Sequence, residues 1–326
     1  MKQAIALFCV SILVASGAAL NYEMEFLDFI QKYNKVYADD AELLARFDIF
    51  KSNLDMIESH NKKGLSWTLG VNKFADLTRE EFSAGRLGYV ESLESNYVES
   101  AADLSGLYSL PSEVDWNAKG AVTPVVNQHQ CGSSWAFSAL GAVEGAHAIA
   151  KGELVAVSVQ ELLDCDTTGD DRGCNGGFMT SAYMYILENG GITAESDYPY
   201  TGDRAQPCLA SKYAKAATIS SFVVVKPNED ELLAAVAHQP VGTAVKADTR
   251  DFQFYTGGVF TAECGTQSDH GIMVSGYGTD NGIDYWTLKN TWGSDWGESG
   301  FIRIERNRNN GRGLCGVALS ASYPVV

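Results

Sequence analysis

The sequence predicts an α+β fold in which a helical N-terminal part precedes a larger part that changes from helices to strands. Apolar residues recur every three or four positions from Asp39 to Asn61, which is typical of one face of a long helix. The alanine-rich segment from Trp135 to Lys151 predicts a second long helix, with Ser133 or Ser134 suited to cap its start. Beyond about residue 217, short β-rich runs alternate with glycine-bearing turns, and this pattern favours a sheet.

The first 19 residues have the composition of a signal peptide. Lys2 precedes an apolar run from Ala4 to Ala15, and small residues follow it, which is the order of a secretory leader. No other apolar run approaches the length of a membrane span. We therefore expect a leader over residues 1–19, entry into the secretory pathway and no membrane partner.

Charge and composition exclude several other functions. The chain has 41 acidic and 24 basic residues and a formal net charge of −17, so nucleic-acid binding is not expected. There is no C-x-x-C pair and no histidine cluster, which disfavours a zinc site. Gly276 and Gly278 lack the context of a nucleotide-binding loop. The sequence predicts neither a metal nor a cofactor.

Between these landmarks the secondary structure follows from local patterns. Shorter helices are predicted at Val159–Leu163, Met179–Glu188 and Asn228–His238. Strands are predicted at Thr218–Val225, Val241–Ala247, Ile272–Tyr277, Tyr285–Lys289 and Phe301–Glu305.

The cysteine count indicates a disulfide framework. Of seven cysteines, Cys9 lies in the leader, and the remaining six are an even number that can all pair. Six cysteines allow 15 connectivities, among which the residues alone do not choose. Disulfides imply an oxidising compartment.

The segment around Ser134 is the most informative motif. Residues 128–138 read Gln-His-Gln-Cys-Gly-Ser-Ser-Trp-Ala-Phe-Ser, and this run closely resembles the active-site segment of papain-like cysteine proteases. In that family the residue before the tryptophan is the nucleophilic cysteine, whereas here it is Ser134. His270 and Asn290 follow at about the separations typical of the family.

The resemblance implies roles for the surrounding residues. His270 would be the acid and base, Asn290 would orient its ring, and Trp292 would shield their hydrogen bond. Gln128 would donate to the oxyanion hole together with the backbone N–H of Ser134.

A serine at the nucleophile position changes the chemistry. A cysteine at a helix N-terminus beside an imidazolium ionises before substrate arrives, and papain itself is the established example of this effect. An alcohol is a far weaker acid, so Ser134 would need concerted removal of its proton by a base. We expect a loss of rate of several orders of magnitude.

The N-terminal part resembles a cathepsin L-type propeptide. Two of its motifs occur in order, and the family uses them in a helical prodomain that lays an extended segment through the cleft, reversed relative to substrate, until acid loosens it. The resemblance implies a propeptide over residues 20–109, with a connector and processing region at about 91–108, and a peptidase domain over 110–326. The motif residues are Glu42, Arg46, Phe50, Asn53, Ile57, Asn61, Gly70, Asn72, Phe74 and Asp76.

By the same resemblance the peptidase domain is a papain-like two-lobed fold with a cleft between a helical lobe (about 118–216) and a β-barrel-like lobe (about 217–322). The implied disulfides are Cys131–Cys174, Cys165–Cys208 and Cys264–Cys315. Gly176 and Gly177 would pair with extended peptide. An apolar pocket would favour a hydrophobic side chain two residues before the scissile bond. Its implied residues are Phe178, Met179, Ala244, Ser268, Gly271 and Ser320.

His129 departs from the family, which usually has glycine there. It is either an exposed loop residue or a second titratable group beside the oxyanion hole.

Three functional hypotheses follow. The first is the precursor of a cathepsin L-like endopeptidase that is inactive because Ser134 replaces the nucleophile. The second is a non-catalytic homologue that binds peptides or its own prodomain. The third is a serine-using variant similar to the silicateins, although those usually have tyrosine after the serine and this chain has Trp135. Expected partners are protein or peptide substrates and the chain's own propeptide, in a monomer located in an acidic lysosome- or vacuole-like compartment or outside the cell.

Overall fold

The computed structural model describes residues 21–89, 99–100, 110–166, 171–203 and 207–326. The predicted signal peptide lies outside these residues, as does nearly all of the predicted connector. Within the described ranges, no helix is long and apolar enough to cross a membrane.

Eight α-helices lie in the described part of the chain, three before residue 90 and five after residue 110. They are α1 (Tyr22–Tyr33), α2 (Asp40–Asn61), α3 (Arg79–Arg86), α4 (Ser134–Lys151), α5 (Val159–Cys165), α6 (Met179–Glu188), α7 (Glu229–His238) and α8 (Arg250–Gln253).

Most of the described strands join in one mixed sheet with the order β1-β8-β11-β10-β9-β7-β12-β6-β2, and β3 pairs with β9. A separate ladder joins β4 to β5. The strands are β1 (Trp67–Leu69), β2 (Glu99–Ser100), β3 (Val114–Asp115), β4 (Ile192–Thr193), β5 (Lys215–Ala217), β6 (Ser221–Val225), β7 (Val241–Val245), β8 (Tyr255–Phe260), β9 (His270–Asp280), β10 (Ile283–Lys289), β11 (Phe301–Glu305) and β12 (Ser322–Val325).

Helix α2 forms where the periodicity predicts it. Its apolar stripe includes Phe50, Leu54 and Ile57, which are buried against aromatic rings of α1, with Phe26 and Phe50 centroids 5.2 Å apart. Asp39 is the N-cap of α2 rather than its first residue, because its side chain accepts a hydrogen bond from the N–H of Glu42. Helix α1 is absent from the predicted elements.

Helix α4 runs through the centre of the part of the chain that follows residue 110. Most of its side chains are buried, since it packs against β7 and β9 on one side and α6 on another. The prediction of a side-chain cap is wrong. Ser133 is the N-cap but makes no capping hydrogen bond, because its hydroxyl lies 2.8 Å from the Tyr200 hydroxyl instead.

The predicted strands and helices form, with shifted ends. Strand β11 and helix α6 have the predicted bounds, whereas β6 begins three residues late and β9 extends at both ends. Strands β8 and β12 are not among the predictions. The paired glycines Gly257 and Gly258 in β8 and Pro324 in β12 interrupt the local strand signal, and tertiary pairing overrides it.

The sheet continues into the N-terminal part. Strand β1 pairs antiparallel with β8, and the Trp67 ring lies 4.6 Å from Phe260 of β8. The Trp67 indole N–H also donates to Thr261 Oγ1 at 3.1 Å. This docks the N-terminal part on the β lobe through both backbone and side-chain contacts.

All three disulfides in the described residues lie after residue 130. They are Cys131–Cys174, Cys165–Cys208 and Cys264–Cys315, the set that the resemblance implies. Each closes a loop of about 40–50 residues, which the chain-entropy model values at roughly 4 kcal/mol.

Candidate active site

Ser134 lies at the start of α4 and is fully buried. Its Oγ accepts a hydrogen bond from the backbone N–H of Gly271, at 3.0 Å. A Cβ on Gly271 would lie 2.6 Å from the Ser134 carbonyl oxygen, so only glycine allows β9 to approach the helix this closely. The position therefore has the helix N-terminus that a thiolate would need.

The antiparallel pairing of β9 and β10 brings His270 and Asn290 together. His270 is the first residue of β9, and Asn290 directly follows β10. His270 Nε2 and Asn290 Oδ1 are 2.8 Å apart. The Trp292 indole covers this pair, with its centroid 4.7 Å from the imidazole centroid.

The imidazole is deprived of water. Complete burial lowers the pKa of His270 to about 4, although the hydrogen bond to Asn290 and the nearby Arg86 carbonyl oppose this shift. Nδ1 of His270 makes no hydrogen bond of normal geometry with any described residue. Ser134 and His270 thus lie in one site without being hydrogen-bonded to each other.

Gln128 is held with its amide group directed at the cleft. Its Oε1 accepts a short hydrogen bond from the Thr291 hydroxyl, which leaves Nε2 as the group facing the site. Nε2 donates to the Cys131 carbonyl at 2.7 Å and to the Arg86 carbonyl at 2.9 Å. Thr291 is absent from the predicted site, since its role depends on a contact between distant segments.

Residues 86–89, which we call the prosegment, occupy the cleft. The Gly88 carbonyl accepts from the Gly177 N–H at 3.2 Å, and the Tyr89 N–H donates to the Asp269 carbonyl at 3.0 Å. A Cβ on Gly88 would lie 1.9 Å from the Gly132 carbonyl oxygen, so the backbone enters only because residue 88 is glycine. Tyr89 pairs with Gly177 in a parallel bridge.

The residues assigned to the specificity pocket lie at one end of the prosegment. The Tyr89 and Phe178 rings are 6.1 Å apart, edge to face, and Met179 and Ala244 belong to the buried cluster against which Tyr89 packs. Ser268 and Gly271 are buried, Ser320 is half-buried, and Gly176 directly precedes the pairing residue Gly177. Of this set, Phe178 therefore contacts the Tyr89 ring directly, and Met179 and Ala244 lie in the adjoining buried cluster.

Sequence comparisons identify the two parts of the chain separately. The family profile described as papain family cysteine protease matches residues 110–325. The chain belongs to the papain family of cysteine proteases. A second profile, the cathepsin propeptide inhibitor domain, matches residues 26–82.

Individual members of the papain family are similar over most of the chain. The senescence-specific cysteine protease SAG39 of Oryza sativa subsp. indica is 45% identical over 301 residues, covering 91% of this chain and 88% of the relative. A recombinant stem bromelain precursor superposes with a TM-score of 0.88 at 37% identity, covering 94% of this chain and 99% of that one. Bromelain from Ananas comosus in complex with the E64 inhibitor superposes with a TM-score of 0.64 at 39% identity, covering 67% of this chain and 100% of that one.

The propeptide motif residues build the inhibitor domain and its contact with the protease. The side-chain amide of Asn61 pairs with the backbone of Leu69 as a neighbouring strand would. Its Oδ1 accepts from the Leu69 N–H at 3.0 Å, and its Nδ2 donates to the Leu69 carbonyl at 2.8 Å. Asn72 crosses the interface and donates to the Gln253 carbonyl at 2.7 Å. Gly70 also lies at this interface, since its N–H donates to the Phe254 carbonyl at 2.9 Å and a Cβ on it would meet Thr256. The other motif residues have contacts inside the domain: Phe50 and Ile57 in its core, Glu42 with the Ala38 N–H, Arg46 with Glu81, Asn53 with the Ala75 carbonyl, Phe74 with Phe82, and Asp76 with Lys35.

His129 is exposed and lies beside, not within, the site. Its φ of 55° is in the left-handed region, which favours glycine, and this explains why glycine suits the position. Its backbone N–H donates to Asn127 Oδ1 at 2.9 Å. These contacts involve the loop backbone and favour the interpretation of His129 as an exposed loop residue.

A cavity of about 270 Å³ is lined in part by residues of α4 and is bordered by Glu144 and Lys289. The Thr123 hydroxyl donates to Glu144 at 2.6 Å and accepts from Lys289 at 2.8 Å. Burial raises the pKa of Glu144 and lowers the pKa of Lys289. This cluster supports the strand end that presents Asn290.

Within the described residues, no group of three or more histidine, cysteine or acidic residues is arranged to hold a metal ion.

Proposed function

We propose that the chain is the precursor of a cathepsin L-like endopeptidase that is held inactive in two ways. The prosegment blocks the cleft, and Ser134 occupies the position of the nucleophilic thiol. The observation that carries the proposal is the hydrogen bond from Gln128 Nε2 to the Arg86 carbonyl, 2.9 Å long. A carbonyl of the chain itself occupies the donor that a substrate oxyanion would use.

The proposed roles follow from the contacts. A thiol at position 134 would gain from the α4 N-terminus and from the adjacent imidazole. His270 would transfer protons. Asn290 would orient its imidazole through the hydrogen bond at Nε2, and Trp292 would shield that bond from water. Gln128, oriented by Thr291, and the backbone N–H of residue 134 would stabilise the tetrahedral oxyanion.

The parallel bridge between Tyr89 and Gly177 supports an inhibitory mode of binding. Substrate would pair with Gly177 in the opposite direction, so a reversed backbone fills the cleft without placing a peptide bond for attack.

The three disulfides support maturation in an oxidising part of the secretory pathway. The proposed working form is a monomer in an acidic compartment or outside the cell.

The geometry disfavours a serine hydrolase or a silicatein-like activity. A serine nucleophile needs a base within hydrogen-bond reach. Ser134 Oγ is instead hydrogen-bonded to the Gly271 N–H, and no hydrogen bond with His270 is present among the described residues. A sulfur atom is larger and its bond to Cβ is longer, so a thiol would extend further toward the imidazole.

Peptide binding without catalysis is the second candidate. The prosegment is held by backbone groups of Gly177 and Asp269, and none of these contacts uses the Ser134 hydroxyl. Once the propeptide is removed, the same groups would hold an extended peptide even if it were not cleaved.

The proposed substrate preference is a hydrophobic side chain two residues before the scissile bond. The support is the ring contact of Tyr89 with Phe178 and the packing of Tyr89 against the buried cluster that includes Met179 and Ala244.

The test is peptidase activity after acidification, measured on this chain, on Ser134→Cys and on Ser134→Ala. Substrates carry either a hydrophobic residue or arginine two positions before the bond. We expect only Ser134→Cys to process itself and to cleave the hydrophobic substrate, with the other two lower by at least about a thousandfold.

Cleavage by the unmodified chain at a rate comparable to Ser134→Cys would contradict the proposed mechanism. Failure of Ser134→Cys to cleave any peptide would favour the peptide-binding hypothesis. A preference for arginine before the bond would contradict the proposed pocket.

A further inference from the structure

Arg79, at the start of α3, is hydrogen-bonded to Asp248 of the protease domain through both its carboxylate and its backbone carbonyl. Its Nε donates to the Asp248 backbone carbonyl at 2.6 Å, and its Nη2 donates to Asp248 Oδ2 at 2.8 Å. A planar guanidinium makes both bonds from one fork, a geometry that an ammonium does not match. Asp248 follows β7 and belongs to the part of the chain that would remain after propeptide removal.

The course of the propeptide places this contact on one side of the site. The Arg86 carbonyl lies at Gln128, while Gly88 and Tyr89 continue toward Gly177. The residues before Arg86 therefore lie on the opposite side of Gln128 from Gly177. In the proposed function Gly177 pairs with substrate before the scissile bond, so α3 covers the surface that would contact substrate after it.

The length of α3 determines how far Arg79 lies from the Arg86 carbonyl at Gln128. Arg86 lies seven positions after Arg79, and at a rise of 1.5 Å per residue the helix spans about 10 Å between them. An extended peptide covers about 3.3 Å per residue. An extended substrate would span a comparable distance with its first three residues after the scissile bond.

Charge is balanced here only while the propeptide is bound. Lys246 Nζ lies 3.1 Å from Asp248 and 2.7 Å from Asp269, so Lys246 and Arg79 together face two carboxylates. Removing Arg79 leaves Lys246 alone with both. Arg250, two residues further on, points instead to Ser52 and Asn53 of α2.

We propose that Asp248 is a specificity-determining residue of the mature enzyme, which accepts an arginine side chain of the substrate two or three residues after the scissile bond. The proposal rests on the proposed peptidase function. Arg79 is the occupant of this subsite in the zymogen. Arginine is preferred to lysine because the backbone carbonyl and the carboxylate accept from two N–H groups of one plane.

The test uses the processed domain of Ser134→Cys. Removal of the propeptide leaves a folded unit in a relative, since mature bromelain matches 67% of this chain and 100% of its own. Internally quenched peptides share one hydrophobic residue before the bond and carry arginine, lysine, glutamine or glutamate at the first, second or third position after it. The measurement is kcat/KM for each peptide.

We expect arginine to exceed glutamine about five- to tenfold at the second or third position, with lysine intermediate and glutamate lowest. Asp248→Asn, which keeps the backbone carbonyl, should reduce the ratio of arginine to glutamine to near one. Asp251→Asn, a half-buried neighbour, should keep the ratio of the parent enzyme.

Equal cleavage of the arginine and glutamine peptides by the parent enzyme would overturn the inference and leave the peptidase function intact. This result needs no variant at Asp248 and so does not depend on how that variant folds. Binding of the same peptides to the processed Ser134 form, which is not expected to cut them, separates the two proposals. Arginine-dependent binding there supports the subsite even if Ser134→Cys cleaves nothing, and binding without that dependence overturns it.

Discussion

At the scale of single residues, the buried imidazole makes the folded zymogen sensitive to acid. Burial lowers the pKa of His270 to about 4, whereas an unfolded histidine has a pKa of about 6.5. Between these values the unfolded chain binds a proton that the folded zymogen does not. The contribution of neutral His270 to stability is therefore complete above about pH 6.5 and is lost as the pH decreases toward 4.

His270→Gln should remove this dependence. The shift corresponds to roughly 3 kcal/mol of unfolding free energy lost between pH 6.5 and pH 4, and glutamine has no proton to bind. Urea unfolding of both proteins across this range measures the difference in slope. His129→Gln, at an exposed histidine, is the matched control and should keep the parent slope. Equal slopes for the parent and His270→Gln would show that His270 is not sealed from water.

Two carboxylates, Asp248 in the protease part and Glu81 in the propeptide, protonate at lower pH than His270 does in the unfolded chain. Burial opposes the shift, but hydrogen bonds from Arg79 and Lys246 hold the pKa of Asp248 below its ordinary value. The hydrogen bond from Arg46 likewise lowers the pKa of Glu81. Their contributions are lost only as the pH falls through these lowered values. Between pH 6.5 and 4, His270 therefore has a larger effect on stability than these two carboxylates.

At the scale of elements, α3 packs over the candidate catalytic site. A capping box between Thr78 and Glu81 starts this eight-residue helix, which is too short to be stable in isolation. Its single buried residue, Phe82, packs edge to face on Trp292 with centroids 5.0 Å apart. The helical conformation of α3 is therefore stabilised by its contact with the protease rather than by intrinsic helix propensity.

Phe82→Ala should loosen this cover. Truncating a fully buried phenylalanine costs about 3–5 kcal/mol, and here the loss falls mainly on the interface between propeptide and protease. We expect a trace amount of an external protease to cut near residues 86–89 much faster than in the parent, while the protease domain stays intact on gels. Glu80→Ala, on the exposed side of the same helix, is the control. Unchanged cutting in Phe82→Ala would mean that the other interface contacts, such as β1 with β8 and Asn72 with Gln253, suffice to hold the propeptide.

At the scale of the whole molecule, the propeptide is attached only by the chain itself and by non-covalent contacts. The three disulfides among the described residues all lie between Cys131 and Cys315. Ion pairs such as Lys73–Asp295, at 2.7 Å, cross the interface, although the chain as a whole is acidic. One cut in the connector would leave two pieces held together by packing and hydrogen bonds.

Nicking the connector should make propeptide release depend on pH without any reductant. We expect the nicked protein to elute as one species in gel filtration at pH 7 and to separate into propeptide and protease at pH 4, because protonation of His270 requires that the site be uncovered. The intact chain at pH 4 is the control and should remain one species. Separation at pH 7 would contradict a tightly held propeptide.

The sequence by itself determined the family, the candidate catalytic residues and the propeptide motifs. These are short contiguous patterns, such as the residues around Ser134 or the spacing from Glu42 to Asn61 in α2, and their chemistry can be interpreted locally. Helix ends, and strands such as β8 with its paired glycines, were less predictable, because pairing with distant strands overrides weak local propensity.

Only the tertiary structure decided which groups meet across the cleft. The bond from Gln128 to the Arg86 carbonyl, the orientation of Gln128 by Thr291, and the seating of Arg79 on Asp248 each join segments far apart in the chain. So does the engagement of Ser134 Oγ by the Gly271 N–H. Such contacts depend on how two lobes and a propeptide pack in three dimensions, and the order of residues along the chain does not encode those distances locally.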